Sequence, residues 1–454
     1  MRQSNGENMK PNRESGDALM NRIMWHIMPV LMGLMMLSVI DRSNVGYAKL
    51  QMVGGLGMSE TMYGLASSLF FIGYLLFEIP SALAAHKLGA RLWLARILLT
   101  WGVLTVALGF SMNGSVFAGL RFLVGSAEAG AYPVMIFYLT LWFPKRRRVQ
   151  AVALLTIGSP LGNMFGSLFG GILLDLDGML GLAGWQWVFI ATGAPAAILF
   201  FLVLKYLPDN PSAAKFLSAE EKTLLAEELG RDETASTIHT NPLRVLIDLR
   251  VWWFAIVYTM IILSLYGIIY WLPTVVKGFG ATGTQNGMLN ALPWGVAAVF
   301  LLGLPRHLRE HRTVLVGMAG IALFGMMSFF TSTLLTQNWM RYVALAVGTP
   351  CVSLMFPCFW YLPSQIFRGA HAATAIAAIS TIGSLGGFVA QNLMPWVASW
   401  SGSALAAMAV PAISLGFLAV SALGMLATWR VLPKADLESG IILREGSVQR
   451  QAIS

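Results

Sequence analysis

The sequence predicts an all-α integral membrane protein whose twelve transmembrane helices form two pseudo-symmetric six-helix halves. Three observations support this fold class. Hydrophobic residues make up 56% of the chain and charged residues only 11%, whereas a soluble domain carries about 25% charged residues. Apolar runs long enough to cross a bilayer recur from one end of the chain to the other. A four-residue motif of the first half returns half a chain later.

Apolar runs near the length of a spanning helix, about 20 residues, divide the chain into two groups of six. The first group is 23–47, 60–84, 91–111, 116–140, 149–174 and 185–207, and the second is 251–276, 284–304, 313–335, 339–366, 371–398 and 404–430. The expected domains are a tail (1–22), an N-terminal half (23–207), a central loop (208–250), a C-terminal half (251–430) and a second tail (431–454). An amphipathic, acid-rich helix is expected at 218–229 in the central loop.

Basic residues predict the orientation, because cytoplasmic loops retain Lys and Arg. They cluster in alternate connections, at Lys87, Arg91 and Arg96, at 145–148, at Arg244 and Arg250, and at Arg306, Arg309 and Arg312. The opposite connections keep only Lys49, Lys277 and Arg341. The polar N-terminus lacks a signal-peptidase site. Both tails and the central loop are therefore expected in the cytoplasm, around a multi-pass protein of a bacterial inner membrane.

The repeat maps the fifth span onto the eleventh. Thr-Ile-Gly-Ser at 156–159 recurs at 381–384, and further glycines follow each copy. A match at this offset is what two fused six-helix halves would give. Glycines four apart, such as Gly166 and Gly170, predict close packing between helices.

Several function classes are disfavoured by the composition. The net charge of +9 sits in short loops without interleaved aromatic residues, which is not a nucleic-acid surface. Cys351 and Cys358 lie in one apolar run and predict inert thiols, with no metal site and no cofactor. No His or Cys pair with ligand spacing, and no nucleophile with its base, occurs inside a span, so an enzyme is not expected.

Ionisable residues inside spans are the candidates for chemistry, since each costs about 2.5–3.5 kcal/mol at a helix centre. They are Asp41, Arg42, Glu78, Arg121 and Glu128, and all lie in the first half. Asp41 and Arg42 point about 100° apart on a helix, so at least one must meet a cavity or a partner. Arg121 and Glu128 share one helix face. Arg121 could instead mark the outer start of its helix, and Glu78 could serve packing alone. His26 and His371, near helix ends, are expected to cap or snorkel.

Motifs along nearly the whole chain resemble one family. They are DRSNVGYAKLQM at 41–52, GYLLFEIPS at 73–81, LGAR at 88–91, RFLVGSAEAG at 121–130, WFP at 142–144, GWQW at 184–187, YWLP at 270–273 and the segment 383–387. The sequence resembles the anion:cation symporters of the major facilitator superfamily, the permeases for tartrate, phthalate, hydroxyphenylacetate and sugar acids such as galactonate.

The resemblance implies a site between the halves, lined by the first, fourth, seventh and tenth helices. The arginine matching Arg42 would hold the substrate carboxylate, for which a guanidinium fork is well shaped. The acids matching Asp41 and Glu128 would carry the coupling proton. The arginine matching Arg121 would tune the acid that matches Glu128. Weaker substrate-binding candidates are Tyr47, Tyr266 and Ser384, while aromatic residues near helix ends more often form the interfacial belt.

Three positions depart from the family pattern. His86 and Arg306 stand where loop aspartates are usual, which puts the usual gating ion pairs in doubt, and the role of Glu78 is left open. Ser384 replaces the asparagine of many relatives, so its contact with substrate is expected to be weaker or different.

The expected function is import of a small organic anion, a sugar acid, hydroxy-dicarboxylate or aromatic carboxylate, by proton symport in a monomer. Sodium coupling is disfavoured because no oxygen-rich cage is evident. An organic anion or organophosphate antiporter is the nearest alternative, although 251–276 lacks the second arginine expected for phosphate esters. A membrane-embedded solute sensor is the alternative from another class.

Overall fold

Twelve helices long and apolar enough to cross a membrane are present in the computed structural model, which describes residues 13–233, 247–303, 310–367 and 369–429. We number the spans α1 to α12. Their bounds are α1 Arg13–Gly55, α2 Glu60–Leu88, α3 Ala90–Leu108, α4 Gly114–Glu128 with Ala131–Trp142, α5 Lys145–Leu174, α6 Gly184–Gly193 with Pro195–Tyr206, α7 Leu249–Gly278, α8 Gly283–Gly303, α9 His311–Leu334, α10 Asn338–Ile366, α11 Gly369–Gly383 with Leu385–Ser401, and α12 Ala409–Trp429. The predicted all-α class, span number and span order are confirmed.

The first span begins earlier than the apolar run predicts. α1 starts at Arg13 rather than at residue 23, and its first turns are polar. Ion pairs from Arg22 to Glu221 and from Arg147 to Asp17 hold these turns against the rest of the N-terminal half. A hydropathy pattern detects only the apolar part of α1. It therefore misses the polar N-terminal extension, which is stabilised by these tertiary ion pairs.

The central loop docks on the same half through a helix at Ala219–Glu233. The Ser218 and Glu221 side chains cap its first turn, each accepting a backbone N–H of the other residue. The His26 ring stacks on Phe216 at 3.9 Å and lies 3.2 Å from the Tyr206 carbonyl at the end of α6. Because α1 begins at Arg13, His26 lies inside this helix and not near its end, where the apolar run predicted it. The predicted roles of Arg244, Arg306, Arg309, His371 and the C-terminal tail lie outside the described residues and side chains.

The fourth span is broken at the point that carries its acid. Its first segment ends at Glu128, and Gly130 adopts a left-handed conformation with φ +84°. A Cβ at Gly130 would lie 2.6 Å from the Ser81 Cβ of α2, so close approach of α2 also requires glycine here. The break places Glu128 at a helix end, facing α1.

The two halves approach most closely at one end, which we call the closed end. It is the end of the connections 56–59 and 279–282, opposite to the N-terminus of α1. In the α1–α7 pair, a Cβ at Gly46 would lie 2.9 Å from the Ile269 carbonyl. In the α5–α8 pair, a Cβ at Gly171 would lie 2.6 Å from the Gly287 Cα. Glycine thus brings backbone against backbone across the halves at Gly46 and Gly171, whereas the predicted Gly166 and Gly170 pack against Ser43 and Tyr47 of α1 within one half.

Candidate anion site between the halves

The Arg42 guanidinium joins the two halves near the middle of α1. Its Nε and Nη2 donate to Glu128 Oε1 at 2.9 and 2.7 Å, and its Nη1 donates to the Tyr266 hydroxyl at 2.9 Å. Glu128 belongs to the same half, whereas Tyr266 lies on α7 of the opposite half. The Arg42 side chain is 20% exposed while that of Glu128 is fully buried. The Arg42 guanidinium is therefore paired with Glu128 but still accessible to a ligand.

The Glu128 carboxylate keeps one oxygen unused. Its Oε1 also accepts from the Ser38 hydroxyl at 2.5 Å, whereas Oε2 is buried and has no hydrogen-bond partner among the described residues. Ser38 lies one turn before Arg42 on the same face of α1. Sequence reasoning missed this serine, although its spacing from Arg42 was the available signal. A buried carboxylate with one free oxygen depends heavily on the arginine for its stability.

Aromatic rings surround the same guanidinium. Arg42 Cζ lies 5.0 Å from the Tyr74 ring centroid and 5.6 Å from that of Phe70, both on α2. Tyr266 meets Phe71 edge to face at 4.8 Å and stacks on Tyr270 at 5.7 Å. The rings exclude water and stabilise the positive charge through their quadrupoles. Phe70 and Tyr74 were not predicted; their spacing of four was the signal, and it is common in apolar helices.

Asp41 faces away from this cluster, into its own half. Its Oδ1 accepts from the Thr105 hydroxyl of α3 at 2.7 Å and from the Asn44 amide at 3.3 Å. Asn44 also donates to Thr192 of α6 at 2.9 Å. The rotation of about 100° between neighbouring helix residues explains the separation from Arg42. The predicted coupling role of Asp41 thus concerns a carboxylate held behind the site.

Arg121 is a fully buried cation next to the same ring that flanks Arg42. Its Cζ lies 4.7 Å from the Phe70 centroid, and its Nε, Nη1 and Nη2 have no hydrogen-bond partner in the part of the chain that the structure describes. Its charge acts on the Asp41 carboxylate. The Phe70 ring is therefore close to both guanidinium groups. Both cations and both acids of the predicted set lie in the N-terminal half.

The other candidates have different neighbours. A Cβ at Gly170 would lie 2.6 Å from the Tyr47 ring, so Tyr47 packs against α5. The Ser384 hydroxyl donates to the Thr381 carbonyl one turn back at 2.7 Å. Neither residue contacts Arg42 in the described structure, and their substrate contacts stay predictions. Glu78 is partly buried, and its carboxylate lies 3.5 Å from the Thr381 hydroxyl of α11. The His86 ring packs on Phe137 at 3.8 Å.

A second basic residue of α1 is buried at the closed end. Lys49 is 3% exposed, its Nζ forms a 2.8 Å ion pair with Glu60, and it lies 3.4 Å from the Trp271 ring centroid on α7. Sequence reasoning noted this lysine only as a sparse charge on that side. It gave no reason to expect a contact across the halves.

Asp175 links the halves at the closed end as well. Following α5, it accepts from the Thr284 hydroxyl at 2.6 Å and from the backbone N–H groups of Thr284 and Gly283 at 2.8 and 3.1 Å, at the start of α8. Partial burial raises the pKa of Asp175, but these hydrogen bonds and the nearby Lys277 charge outweigh it and hold the pKa below its usual value. The carboxylate therefore caps a helix of the opposite half.

The arrangement suits a carboxylate ligand better than a metal ion. The described residues contain no group of three or more His, Cys, Asp or Glu side chains positioned to hold a metal. The reachable charged group is a guanidinium, whose planar donors match two carboxylate oxygens. A bound anion would compete with Glu128 for Arg42.

Comparisons with known proteins give one consistent result. The model of the Major Facilitator Superfamily matches residues 31–391. A protein of Agrobacterium vitis named for tartrate transport is 37% identical over 92% of both chains. The quinolone resistance transporter of Acinetobacter baumannii is 37% identical, over 91% of this chain and 95% of its own. Pseudomonas putida NicT, named for metabolite transport, is 35% identical over 86% and 90%.

Solved structures share the fold at low sequence identity. The D-xylose-proton symporter superposes with a TM-score of 0.68 at 14% identity, covering 91% of this chain and 99% of that one. An inward-facing bacterial homologue of the human lysosomal transporter Spinster gives 0.66 at 17% identity, covering 89% and 97%. At these identities the likeness concerns the fold alone.

Proposed function

Because the chain belongs to the Major Facilitator Superfamily, we propose that it imports a small organic anion together with a proton by alternating exposure of the Arg42 site. Its relatives are transporters, and its twelve spans make it a multi-pass membrane protein. One relative is named for tartrate, a dicarboxylate, which supports an organic anion as the solute. A sugar acid, a hydroxy-dicarboxylate and an aromatic carboxylate all satisfy this proposal.

An anionic substrate is supported by the position of the Arg42 guanidinium, which contacts both halves of the protein. Arg42 is partly exposed, and its partner across the halves is a neutral tyrosine. An entering carboxylate can take the donors now used by Glu128 and Tyr266 without leaving a cation unpaired. Charge-assisted, bidentate pairing would then hold the anion in a region of low dielectric.

Proton coupling follows from the same exchange of partners. When an anion occupies Arg42, the buried Glu128 carboxylate loses its counter-charge, and a buried unpaired charge is strongly unfavourable. Uptake of a proton removes that penalty, so anion and proton stabilise each other's binding. Asp41 is a second candidate for the proton, with Arg121 setting the charge balance beside it.

Orientation completes the proposed cycle. The basic connections support a cytoplasmic position for the N-terminus, the central loop and the C-terminus, and in this orientation the closed end faces outward. The described conformation then corresponds to an inward-facing state. Import requires the closed end to part while the opposite end closes, in a protein that works as a monomer in the bacterial inner membrane.

Transport by purified protein in liposomes tests the proposal. Tartrate, phthalate and gluconate are each offered with and without an acidic exterior, and accumulation is expected only with the pH gradient. Arg42→Lys should weaken anion binding by about ten- to a hundredfold, since lysine lacks the fork. Arg250→Lys, at an exposed helix end, is the matched control.

Three other results of this experiment would each contradict a different part of the proposal. Unchanged affinity in Arg42→Lys would remove that residue from the site. Exchange of anions without net accumulation would favour the antiporter alternative. Saturable binding without movement of any carboxylate would favour the sensor.

A further inference from the structure

Lys49 lies on the same face of α1 as Arg42, nearer the closed end. The two residues are seven positions apart in an unbroken helix, which puts them two turns and about 10 Å from each other. Lys49 is 3% exposed, although it belongs to the outermost turns of the span. A buried ammonium at this depth requires a structural or functional explanation.

The surroundings of Lys49 repeat those of the central arginine. Each cation pairs with one acid of its own half, and for Lys49 this acid is Glu60 at 2.8 Å. Each also contacts one aromatic residue of α7, from the opposite half. The Tyr266 hydroxyl accepts a hydrogen bond from the central cation, and the Trp271 ring covers Lys49 with its centroid 3.4 Å from Nζ. A second ring, Tyr63 of α2, lies 5.2 Å from the ammonium.

Trp271 is fixed to the half that must move. Its Nε1 donates to the Ala404 carbonyl at 2.8 Å, between α11 and α12. Lys49 and Glu60 belong to the other half. When the closed end parts, the indole therefore leaves with the C-terminal half, and the ammonium becomes exposed to the passage that leads to Arg42.

We propose that Lys49 is an outer anion site, at which a carboxylate binds before it moves about two helical turns inward to Arg42. This inference rests on the proposed function and its orientation. Lysine is a compact point charge without the bidentate fork, so it holds a carboxylate more weakly than arginine does. Glu60 remains beside the ammonium and competes with the anion. Weak binding at an outer site and tighter binding at the centre favour passage over trapping.

A purely structural role for Lys49 predicts effects of the opposite sign. If its contact with Trp271 only holds the closed end together, removing the ammonium would favour the outward-open state. Outward-open protein binds external anion more readily, so the external half-saturation concentration would fall. If Lys49 binds the anion, that concentration must rise.

The test compares Lys49→Met, which keeps the length of the side chain, with Lys49→Arg, which keeps the charge. Half-saturation concentrations for tartrate, phthalate and gluconate are measured separately from the outer and inner sides of oriented liposomes. Lys49→Met should raise the outer value about tenfold, the loss of one charge-assisted contact, and change the inner value less than about twofold. Lys49→Arg should stay within about threefold of the wild type on both sides. A fall in the outer value, or no change, overturns the proposal.

Chemical labelling of the wild type tests the site without any variant and without transport. A membrane-impermeant, amine-reactive ester is applied from outside, and modification of Lys49 is followed by mass spectrometry, with the exposed Lys277 as internal control. Phthalate at tens of millimolar should protect Lys49 and leave Lys277 unchanged. If no carboxylate is transported but protection occurs, the proposed function is wrong and the anion site stands. Equal labelling with and without phthalate overturns the site.

Discussion

Replacing Gly171 with alanine should hold the two halves apart at the closed end. A Cβ at this position would lie 2.6 Å from the Gly287 Cα and 2.7 Å from the Gly287 nitrogen, and closer still to the Gly283 carbonyl. All three are backbone atoms of α8, so no side-chain rotation can relieve the contact. Ordinary contacts begin near 3.4 Å and the Gly283 carbonyl oxygen is the nearest atom, so α5 and α8 must separate by about 1 Å.

The substitution destabilises only the conformation in which the halves touch at the closed end. Overpacking that must move backbone costs about 1–3 kcal/mol, and this cost disappears once the halves part. The closed-end contact should therefore lose about five- to 150-fold in population relative to the outward-open state. Stability of each half should change little, because alanine is favourable inside a helix.

Accessibility from outside measures this shift. Gln391, 2% exposed on α11 at the closed end, is replaced by cysteine in a background without Cys351 and Cys358, and labelled with a membrane-impermeant maleimide. Gly171→Ala should accelerate labelling by at least fivefold. The control is Gly320→Ala in α9, where a Cβ would meet nothing within 4 Å. Equal rates in Gly171→Ala, the control and the parent, in proteins with equal melting temperatures, would refute the reasoning.

Two further predictions concern acids on either side of the site. Asp175→Asn should speed labelling of the same reporter about two- to fivefold, since it replaces a charged cap of α8 by a neutral one. The lowered pKa of Asp175 means that its contribution is present above the usual aspartate pKa and is lost only as pH falls below it. Labelling itself speeds up with pH as the reporter thiol ionises, so the comparison uses the ratio of the Asp175→Asn rate to the parent rate. This ratio should be constant from about pH 5 to 8, and a change across that range would contradict the reasoning. Asp41→Asn should retain counterflow of labelled anion but lose accumulation driven by a pH gradient, and accumulation that persists would rule out its coupling role.

The sequence predicted the spans because bilayer thickness imposes their length and composition directly. It also predicted Asp41, Arg121 and Glu128 as buried charges, since every ionisable residue inside an apolar run must be explained, but it missed the buried Lys49. It could not predict which of Asp41 and Arg42 faces the opposite half. Periodicity gives the angle between the two side chains, whereas their direction depends on how α1 packs against α3, α6 and α7. The structure aims Arg42 at Tyr266 and Asp41 at Thr105.

The same limit explains the aromatic candidates. Tyr47 and Tyr266 were equally plausible from their neighbours in sequence. Tyr47 fits against Gly170 of its own half, and Tyr266 reaches Arg42 across the halves. Aromatic residues are too frequent in spanning helices for their presence to indicate a site. Only the partner helix, set by tertiary packing, separates a packing ring from one that covers a cation.

The distribution of charge between the halves affects the free energy needed to separate them. The spans of the second half contain no acid, and this half meets the cations of α1 through Tyr266 and Trp271. In the proposed cycle, parting the halves therefore breaks a charge-assisted hydrogen bond to an uncharged tyrosine and a cation–π contact, about 0.5–3 kcal/mol each, and leaves both ion pairs of Arg42 and Lys49 intact. Had the acids lain across the halves, opening would separate buried charges at about 3–5 kcal/mol for each pair. Keeping each ion pair within one half thus keeps both conformations within reach of thermal energy and anion binding.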